Sequence, residues 1–286
     1  MSAATPRVLV LGPDGMLGQA WLGLLQREGL THDVRSYPDF DLTQRAHVDA
    51  LPIEGFDVVV NCTGYTNVDG AEEHEDEATV LNGHGVGWLA ERCRAMDATL
   101  VHYSTDYVFE GDATSPYAVD HPRAPLNAYG RSKAVGEEAI EQSGVRFLLL
   151  RTSWLYAPWA NNFVRTMARL GKTKESLSVV DDQRGRPTSA EHLASASLAL
   201  LRQQAHGTLH VTDGGECTWY GLAKAVIEQV NPACVVSPCT TADFPRPAKR
   251  PAYSVLDLAP TEALLGPMPA WEEQVAEVVR RLPADG

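Results

Sequence analysis

The sequence has no long apolar run and few cysteines, and each shortage excludes a class of protein. No stretch of eighteen apolar residues occurs, so we expect no membrane-spanning helix. The N-terminus lacks a basic and apolar leader ending in small residues, so we predict a soluble, cytoplasmic protein. The five cysteines are scattered and form no CxxC, which indicates neither a disulfide framework nor a zinc site.

Basic residues are also scarce. The chain has 24 Lys+Arg against 37 Asp+Glu, a net charge of −13. Such an acidic protein is unsuited to nucleic acid or to an anionic membrane, and we expect neither as a partner, although a local basic pocket stays possible. His74, His84 and His102 show no metal-ligand spacing, so we predict no metal site and interpret them as structural.

Short apolar runs alternate with helix-length segments in the first half of the chain. Helical patterns cover 16–28, 71–96 with an interruption around NGHGVG, and 128–142. Four apolar or β-branched runs have the texture of strands buried on both faces: RVLVLG (7–12), FDVVVNC (56–62), TLVHYST (99–105) and RFLLLRTSW (146–154). The alternation predicts an α/β fold with a doubly wound parallel sheet of the Rossmann type.

The alternation loosens after residue 154. A helix is expected over 190–204, but connections rich in proline and glycine dominate and end in TTADFPRPAKRPAYSVLD. A length of 286 residues suits about two domains. We predict a Rossmann domain over 1–155, which also includes 176–205, and a smaller mixed C-terminal substrate domain over 156–175 and 206–286.

Three glycines follow the first predicted strand in the string LGPDGMLGQ. Gly12, Gly15 and Gly18 open the first helix, where they permit a tight turn and let the backbone approach a pyrophosphate. The free N–H groups at the start of that helix favour the bound negative charge. The pattern predicts a dinucleotide site, with a glycine-rich turn that binds no ligand as the alternative.

The end of the second predicted strand bears on the choice of dinucleotide. An acid commonly stands there and binds the adenosine ribose, but Arg35, Ser36 and Tyr37 occupy the position. An arginine beside a hydroxyl residue suits a 2′-phosphate, so we favour NADPH, with NADH possible. Arg35 as an ordinary exposed strand residue is the alternative.

A tyrosine and a lysine stand one helical turn apart in the string NAYGRSK. Tyr129 and Lys133 project from the same helix face, and an ammonium close to a phenol lowers its pKa. Tyr129 is therefore a candidate general acid or base. Thr105 ends the third of the four strands named above, where its hydroxyl can hold the oxygen that exchanges a proton.

These motifs together resemble the extended short-chain dehydrogenase/reductase superfamily. Further strings, in the same order over nearly the whole chain, are similar to the dTDP-4-dehydrorhamnose reductase family. They are GYTNVDGAE (64–72), HYSTDYVFEG (102–111), PLNAYGRSKAVGE (125–137), RTSWLYA (151–157), NNFVRTM (161–167), DDQRGRPT (181–188), TWYGLA (218–223) and RPAYSVLD (250–257).

The resemblance implies a reaction, the NAD(P)H-dependent reduction of the C4 ketone of dTDP-4-dehydro-β-L-rhamnose to dTDP-L-rhamnose. Tyr129 would protonate the oxygen. Lys133 would hold the nicotinamide ribose and lower the pKa of Tyr129. Thr105 would hydrogen-bond the carbonyl oxygen and stabilise its developing charge.

The resemblance also implies the binding residues, by position. Cofactor contacts would be Gly15, Met16 and Leu17 at the pyrophosphate, Asp41 and Leu42 near the adenine, and Gly64, Tyr65, Thr66 and Tyr103 along the wall. Sugar contacts would be Asp106 and Trp154, with Val68 behind them. Arg250 is the candidate for the nucleotide diphosphate. The alternatives are a core role for Trp154, a turn cap for Asp106 and a solvated surface charge for Arg250.

Two departures and two alternatives stay open. Some relatives bind magnesium at a dimer contact, but Ala20 stands at one expected ligand position and only Glu191 matches, so we do not expect Mg2+ to bridge the possible homodimer. The chain could instead reduce another nucleotide-linked 4-ketosugar, or be a non-catalytic dinucleotide-binding subunit like that of methionine adenosyltransferase. The complete set of Thr105, Tyr129 and Lys133 favours an enzyme.

Overall fold

Twelve strands and ten α-helices form within residues 6–283, the part of the chain that this computed structural model describes. The strands are β1 Val8–Leu11, β2 His32–Arg35, β3 Val58–Asn61, β4 Thr99–Thr105, β5 Phe147–Thr152, β6 Leu155–Tyr156, β7 Ser176–Val180, β8 Arg184–Gly185, β9 Thr188–Ser189, β10 Gly207–His210, β11 Cys217–Thr218 and β12 Val235–Cys239. The helices are α1 Met16–Arg27, α2 Arg45–Asp49, α3 Glu75–Thr79, α4 Gly85–Ala95, α5 Ala128–Ser143, α6 Phe163–Thr173, α7 Ala190–Arg202, α8 Trp219–Val230, α9 Ala259–Leu265 and α10 Trp271–Arg280.

Six of these strands make one parallel sheet in the order β10-β5-β4-β3-β1-β2. Every pair in it is parallel, so the carboxyl ends of the strands meet at one edge. The chain passes from β1 to β2 on one side and returns to β3 on the other, which opens a crevice at the ends of β1 and β3. The predicted doubly wound sheet is confirmed.

Side chains of the central strands alternate between two apolar cores. Val8 and Val10 pack under α1 and α7, whereas Leu9 and Leu11 pack under α2 and α4, as the two-residue period of a strand requires. All four are buried. This burial on both faces explains why the strand reads as a continuous apolar run.

The long predicted helix over 71–96 is divided at the interruption that its sequence suggests. A π-helical turn at Val80–His84 separates α3 from α4. A Cβ on Gly85 would lie 2.3 Å from the carbonyl oxygen of Leu42, so only glycine allows α4 to pack so closely. No helix within residues 6–283 is long and apolar enough to cross a membrane.

The C-terminal lobe has a core of its own. Helices α6, α8 and α10 enclose it with the two-stranded parallel pair β7 and β12. Two strands lie in different sheets from those that the predicted domain limits suggest. β7, from the range given to the Rossmann domain, belongs to the lobe, and β10, from the substrate range, is an edge strand of the large sheet.

The sequence did not predict β10 as a strand of the large sheet because β10 is short and polar. Its residues GTLH include one aliphatic side chain, so no apolar run marks a strand. The division of the chain into two domains stays a prediction.

A buried ion pair fastens α5 to the sheet. Glu137 is 0 % exposed, and its carboxylate receives Arg151 Nε at 3.0 Å and Arg151 Nη2 at 2.7 Å, with Arg123 Nη1 at 3.0 Å. Burial alone would raise the pKa of Glu137, but the two guanidinium groups hold it below its usual value. The pair therefore stabilises the fold at neutral pH, and this contribution is lost as the pH falls through the lowered pKa.

We predict that Arg151→Met lowers the free energy of unfolding by about 3 kcal/mol, because the buried Glu137 then loses one of its two guanidinium partners. The double variant Arg151→Met/Glu137→Met should recover part of this loss, since no buried carboxylate remains unpaired. Urea denaturation measures both. A single-variant loss of less than about 1 kcal/mol, the range of surface pairs, would contradict this role.

Candidate active site

A cavity of about 640 Å³ opens at the carboxyl edge of the sheet. The ends of β3, β4 and β5 contribute Asn61, Thr105 and Thr152 to its wall. The predicted site residues on this wall are Gly15, Met16, Leu17, Gly64, Tyr65, Thr66, Val68, Tyr103, Thr105, Asp106, Tyr129, Lys133, Trp154 and Arg250. The structure thus brings residues from both halves of the chain to one cavity.

The glycine loop has the shape of a phosphate cradle. Gly12 adopts φ +72°, a left-handed conformation that other residues rarely take. A Cβ on Gly18 would lie 2.1 Å from the carbonyl oxygen of Gly12, so helix α1 abuts the loop only because glycine stands there. Gly15 is the N-cap and makes no side-chain cap, which leaves the first N–H groups of α1 for an anion.

The residues predicted at the adenosine end lie off the cavity wall. Arg35 is next to the glycine loop, because the Gly12 N–H donates to its carbonyl at 3.0 Å. Its guanidinium turns back to Asp33 Oδ2 at 3.0 Å and to the carbonyl of Val34 at 2.6 Å. Asp41 accepts two hydrogen bonds from Thr43, and Leu42 is buried against Gly85. Their roles at the cofactor stay predictions.

The start of α5 fixes the tyrosine and the lysine. Asn127 caps the helix by accepting the Gly130 N–H at 2.8 Å. A Cβ on Gly130 would lie 2.2 Å from the carbonyl oxygen of Tyr107, so glycine lets this turn approach the end of β4. Tyr129 and Lys133 consequently face the cavity from successive turns.

Thr105 joins β4 to this helix. Its hydroxyl donates to Asp106 Oδ1 at 3.0 Å and accepts the Tyr107 N–H at 3.2 Å. It therefore caps the short 3₁₀ turn at Asp106–Val108, and the alternative of Asp106 as a turn cap stays a prediction. Thr105 has one hydroxyl proton, so it can donate to a carbonyl oxygen only by turning away from Asp106.

The pKa of Tyr129 is raised to about 12, chiefly by burial. A hydrogen bond with Thr105 lowers it, and the charge of Asp106 raises it further. The predicted lowering of this pKa by Lys133 is wrong, because Lys133 Nζ donates to the Tyr103 carbonyl at 2.6 Å and lies 3.2 Å from His102 Nε2. Tyr129 thus keeps its proton at neutral pH and is suited to donate it.

Lys133 has little contact with solvent. It is 5 % exposed, and burial lowers its pKa to about 8 while the carboxylate of Glu137 opposes the shift. Its charge is therefore sensitive to the groups around Nζ.

Asp106 offers an unused acceptor to the cavity. It is buried, and Oδ2 makes no hydrogen bond within the described chain; the same holds for Ser254 Oγ. Burial raises the pKa of Asp106 to about 6, although Ser254 and Thr105 lie close enough to lower it. A buried oxygen without a partner is costly, so Oδ2 is a strong candidate to accept a ligand hydroxyl.

Trp154 has a strained backbone and an aromatic partner from the C-terminal lobe. Its φ is +48°, and its ring stacks on Trp219 with centroids 3.7 Å apart and planes at 12°. Trp219 Nε1 donates to Gln183 Oε1 at 3.1 Å. A Cβ on Gly185 would lie 2.7 Å from the Trp154 indole. Trp154 is therefore a fixed part of the wall as well as a packing residue.

Arg250 is not a solvated surface charge. Its side chain is 18 % exposed, pairs with Asp69 Oδ1 at 3.0 Å, and lies 5.9 Å from the ring centroid of Tyr107. It reaches the cavity wall near Val68. Asp69 neutralises part of its charge and fixes its position.

Some wall residues carry no sequence signal strong enough to predict them. Trp219 and Asn161 lie in strings that support the family resemblance, but neither spacing assigns them a role. Asn82 stands in the π-helical turn, where its side chain bonds both the N–H and the carbonyl of Tyr65, at 2.8 and 3.0 Å. Such a buried amide holds the wall backbone in place.

The residue at the position matched to a magnesium ligand is paired with another side chain. Glu191 forms an ion pair with Arg281, and Ala20 is buried in the core. No group of three or more His, Cys, Asp or Glu side chains suited to a metal occurs within the described chain.

Comparison with known proteins gives full-length matches. The family described as the RmlD substrate binding domain matches residues 6–283. The probable dTDP-4,6-dihydroxy-2-methyloxan-3-one 4-ketoreductase of Streptomyces antibioticus is 43% identical, over 87% of this chain and 86% of the relative. The dTDP-4-dehydrorhamnose reductase of Burkholderia thailandensis is 37% identical, over 96% and 99%. The dTDP-4-dehydrorhamnose reductase of Bacillus anthracis, solved in complex with NADP, superposes with a TM-score of 0.91 at 36% identity, over 96% and 98%.

We predict that Gly18→Ala weakens nicotinamide dinucleotide binding by about 10-fold or more, because the added methyl group pushes α1 away from Gly12. The matched control is Gly23→Ala on the same helix, where the nearest atom to a Cβ is Arg27 Nη1 at 3.4 Å. This variant should bind normally and gain about 0.5–1 kcal/mol of stability. Calorimetric titration measures binding. Equal affinities for both variants would rule out the close packing as a binding requirement.

Proposed function

Because the chain belongs to the RmlD substrate binding domain family, we propose that it is an NAD(P)H-dependent dTDP-4-dehydrorhamnose reductase. It reduces the C4 ketone of dTDP-4-dehydro-β-L-rhamnose to dTDP-L-rhamnose. The observation that carries the proposal is the meeting of Thr105, Tyr129 and Lys133 in one cavity with the glycine loop. A proton donor, an oxygen-holding hydroxyl and a dinucleotide cradle are the parts that carbonyl reduction requires.

The glycine loop fits a dinucleotide, because Gly15 lies on the cavity wall and leaves the first N–H groups of α1 without a side-chain cap. Gly15, Met16 and Leu17 would hold a reduced nicotinamide dinucleotide there, and that cofactor would supply hydride for the carbonyl carbon. Tyr129 donates its phenolic proton to the carbonyl oxygen, which its raised pKa permits at neutral pH. Thr105 turns its hydroxyl from Asp106 to that oxygen and stabilises the developing charge.

The sugar and the diphosphate have separate candidate partners. Asp106 Oδ2 is the unused buried acceptor for a sugar hydroxyl. Trp154, backed by Trp219, gives a flat apolar wall for a deoxysugar, and Val68 lines the same cavity. Arg250 supplies the positive charge for the diphosphate.

We propose NADPH as the preferred form of the cofactor. The relative from Bacillus anthracis was solved with NADP, and Arg35 lies beside Gly12 at the end of β2. The pairing of Arg35 with Asp33 reduces its free charge, which is compatible with use of NADH as well.

A different dTDP-linked 4-ketosugar is the second candidate substrate. The Streptomyces antibioticus relative, at 43% identity, is a probable 4-ketoreductase of dTDP-4,6-dihydroxy-2-methyloxan-3-one. The named relatives are all reductases of nucleotide-linked sugars, which favours an enzyme over a regulatory subunit. We also propose a cytoplasmic location, supported by five free cysteines, which suit a reducing compartment. The homodimer stays a prediction.

The test supplies dTDP-4-dehydro-β-L-rhamnose, generated in situ, and follows the loss of reduced-nicotinamide absorbance with NADPH and then NADH. We expect turnover with both and a higher kcat/KM with NADPH. The ketosugar named for the Streptomyces antibioticus relative is assayed in parallel. Turnover of that sugar alone would replace the rhamnose proposal with the second candidate, and turnover of neither would contradict both.

Tyr129→Phe should lose about 100-fold or more of kcat, because only the proton donor is removed. Its dinucleotide affinity should stay unchanged. Tyr107→Phe is the matched control, since this neighbouring wall tyrosine holds no proton that the mechanism uses. Wild-type kcat in Tyr129→Phe would show that another group is the acid.

A further inference from the structure

Behind Lys133, buried polar side chains form a row that the proposed mechanism does not use. Asn61 and His102 face each other across β3 and β4, and each is 1 % exposed. Asn61 Nδ2 lies 3.2 Å from His102 Nδ1, and His102 Nε2 lies 3.2 Å from Lys133 Nζ. Buried polar groups of this kind destabilise a protein unless they form hydrogen bonds. We therefore expect each donor in this row to face an acceptor.

Thr63 decides the orientation of the Asn61 amide. The backbone N–H of Thr63, which can only donate, lies 3.1 Å from Asn61 Oδ1, and its hydroxyl donates to the same oxygen at 2.6 Å. The amide NH₂ therefore faces His102. Because an NH₂ group only donates, the hydrogen-bond network assigns His102 Nδ1 as an acceptor without a proton.

The remaining proton of His102 then points at Lys133. Burial, the largest cause, holds the pKa of His102 well below its usual value, so the ring is neutral and has one proton. That proton lies on Nε2. The ammonium form of Lys133 has only donors. It would therefore place its own N–H against the Nε2–H of His102. An amine has a lone pair and can accept the Nε2–H.

We propose that His102 is a positioning residue of this site: Asn61 holds it as the Nε2–H tautomer, and its N–H favours the uncharged amine of Lys133 over the ammonium. This inference rests on the proposed function, because it concerns Lys133 as a residue of the reductase site. Its test needs no turnover, so the two can fail separately.

The other groups around Lys133 act in known directions. Glu137, one turn further along α5, favours the ammonium. Arg151 from β5 pairs with Glu137 and weakens that effect. From β4, the Tyr103 carbonyl accepts from Nζ at 2.6 Å, which favours the ammonium as the stronger donor. The N–H of His102 acts in the opposite direction, since it favours the amine.

The first measurement is the tautomer of His102 in the wild-type protein, by two-bond ¹H–¹⁵N correlation. The chain has nine histidines, and the signals of His102 are identified by their loss in His102→Gln. We expect a protonated Nε2 and an unprotonated Nδ1 at neutral pH, because burial holds the pKa of His102 well below its usual value. The opposite tautomer, or a charged ring at neutral pH, would overturn the proposal whether or not any variant folds.

The second measurement is the titration of Lys133 by ¹³Cε lysine resonances. The chain has five lysines, and Lys133→Met identifies the signal. His102→Leu removes the N–H and should raise the apparent pKa of Lys133 by about one unit or more. His102→Gln should keep the wild-type value, because its amide can accept from Asn61 and donate to Lys133. An unchanged or lower pKa in His102→Leu, or equal values in the two variants, would contradict the role of the N–H.

The exposed Lys224 is the internal control and should titrate alike in all variants. If the tautomer and the lysine shift are found but the ketosugar is not reduced, the proposed function fails and this inference stands. If the enzyme turns over but His102 is the Nδ1–H form, this inference fails alone.

Discussion

The close contact of helix α5 with the carboxyl ends of β4 and β5 is the constraint on which the site depends. Gly130 lets the first turn approach the Tyr107 carbonyl, Lys133 reaches the Tyr103 carbonyl, and Glu137 pairs with Arg151 under the third turn. These contacts share one helix face. A small shift of α5 would move the proton donor and the lysine together, so the geometry of the chemistry is set by packing beneath the cavity as much as by its wall.

Burial gives this helix face its chemical character. It raises the pKa of Tyr129 and lowers that of Lys133, so both groups are biased toward their uncharged forms. A neutral phenol is a proton donor, which is the role that reduction of a carbonyl requires. Asp106 is biased in the same way, and its Oδ2 has no hydrogen-bond partner within the described chain. Burial thus leaves the site with a proton donor and an unpaired acceptor in one cavity.

Short sequence patterns predicted the strands, the glycine loop and the helix face, because these features depend on residues close together in the chain. The apolar runs became the central strands, and the glycine spacing and the Tyr129–Lys133 pair reached one cavity because parallel strands end at one edge. Long-range contacts decided the rest. Stacking of Trp219 on Trp154 joins distant segments, and the contact of Lys133 with His102 depends on how α5 lies across β4. Burial raises the pKa of Tyr129, which the spacing of Tyr129 and Lys133 could not show.

Direct hydride delivery to C4 of the sugar is the step that the assembled site is proposed to perform, and isotope transfer follows it most directly. NADPH with deuterium at both C4 positions of the nicotinamide is supplied with dTDP-4-dehydro-β-L-rhamnose, and the product is analysed by NMR and mass spectrometry. We predict one deuterium at C4 of dTDP-L-rhamnose. A product without deuterium, or with deuterium at another carbon, would contradict reduction of the C4 ketone at this site.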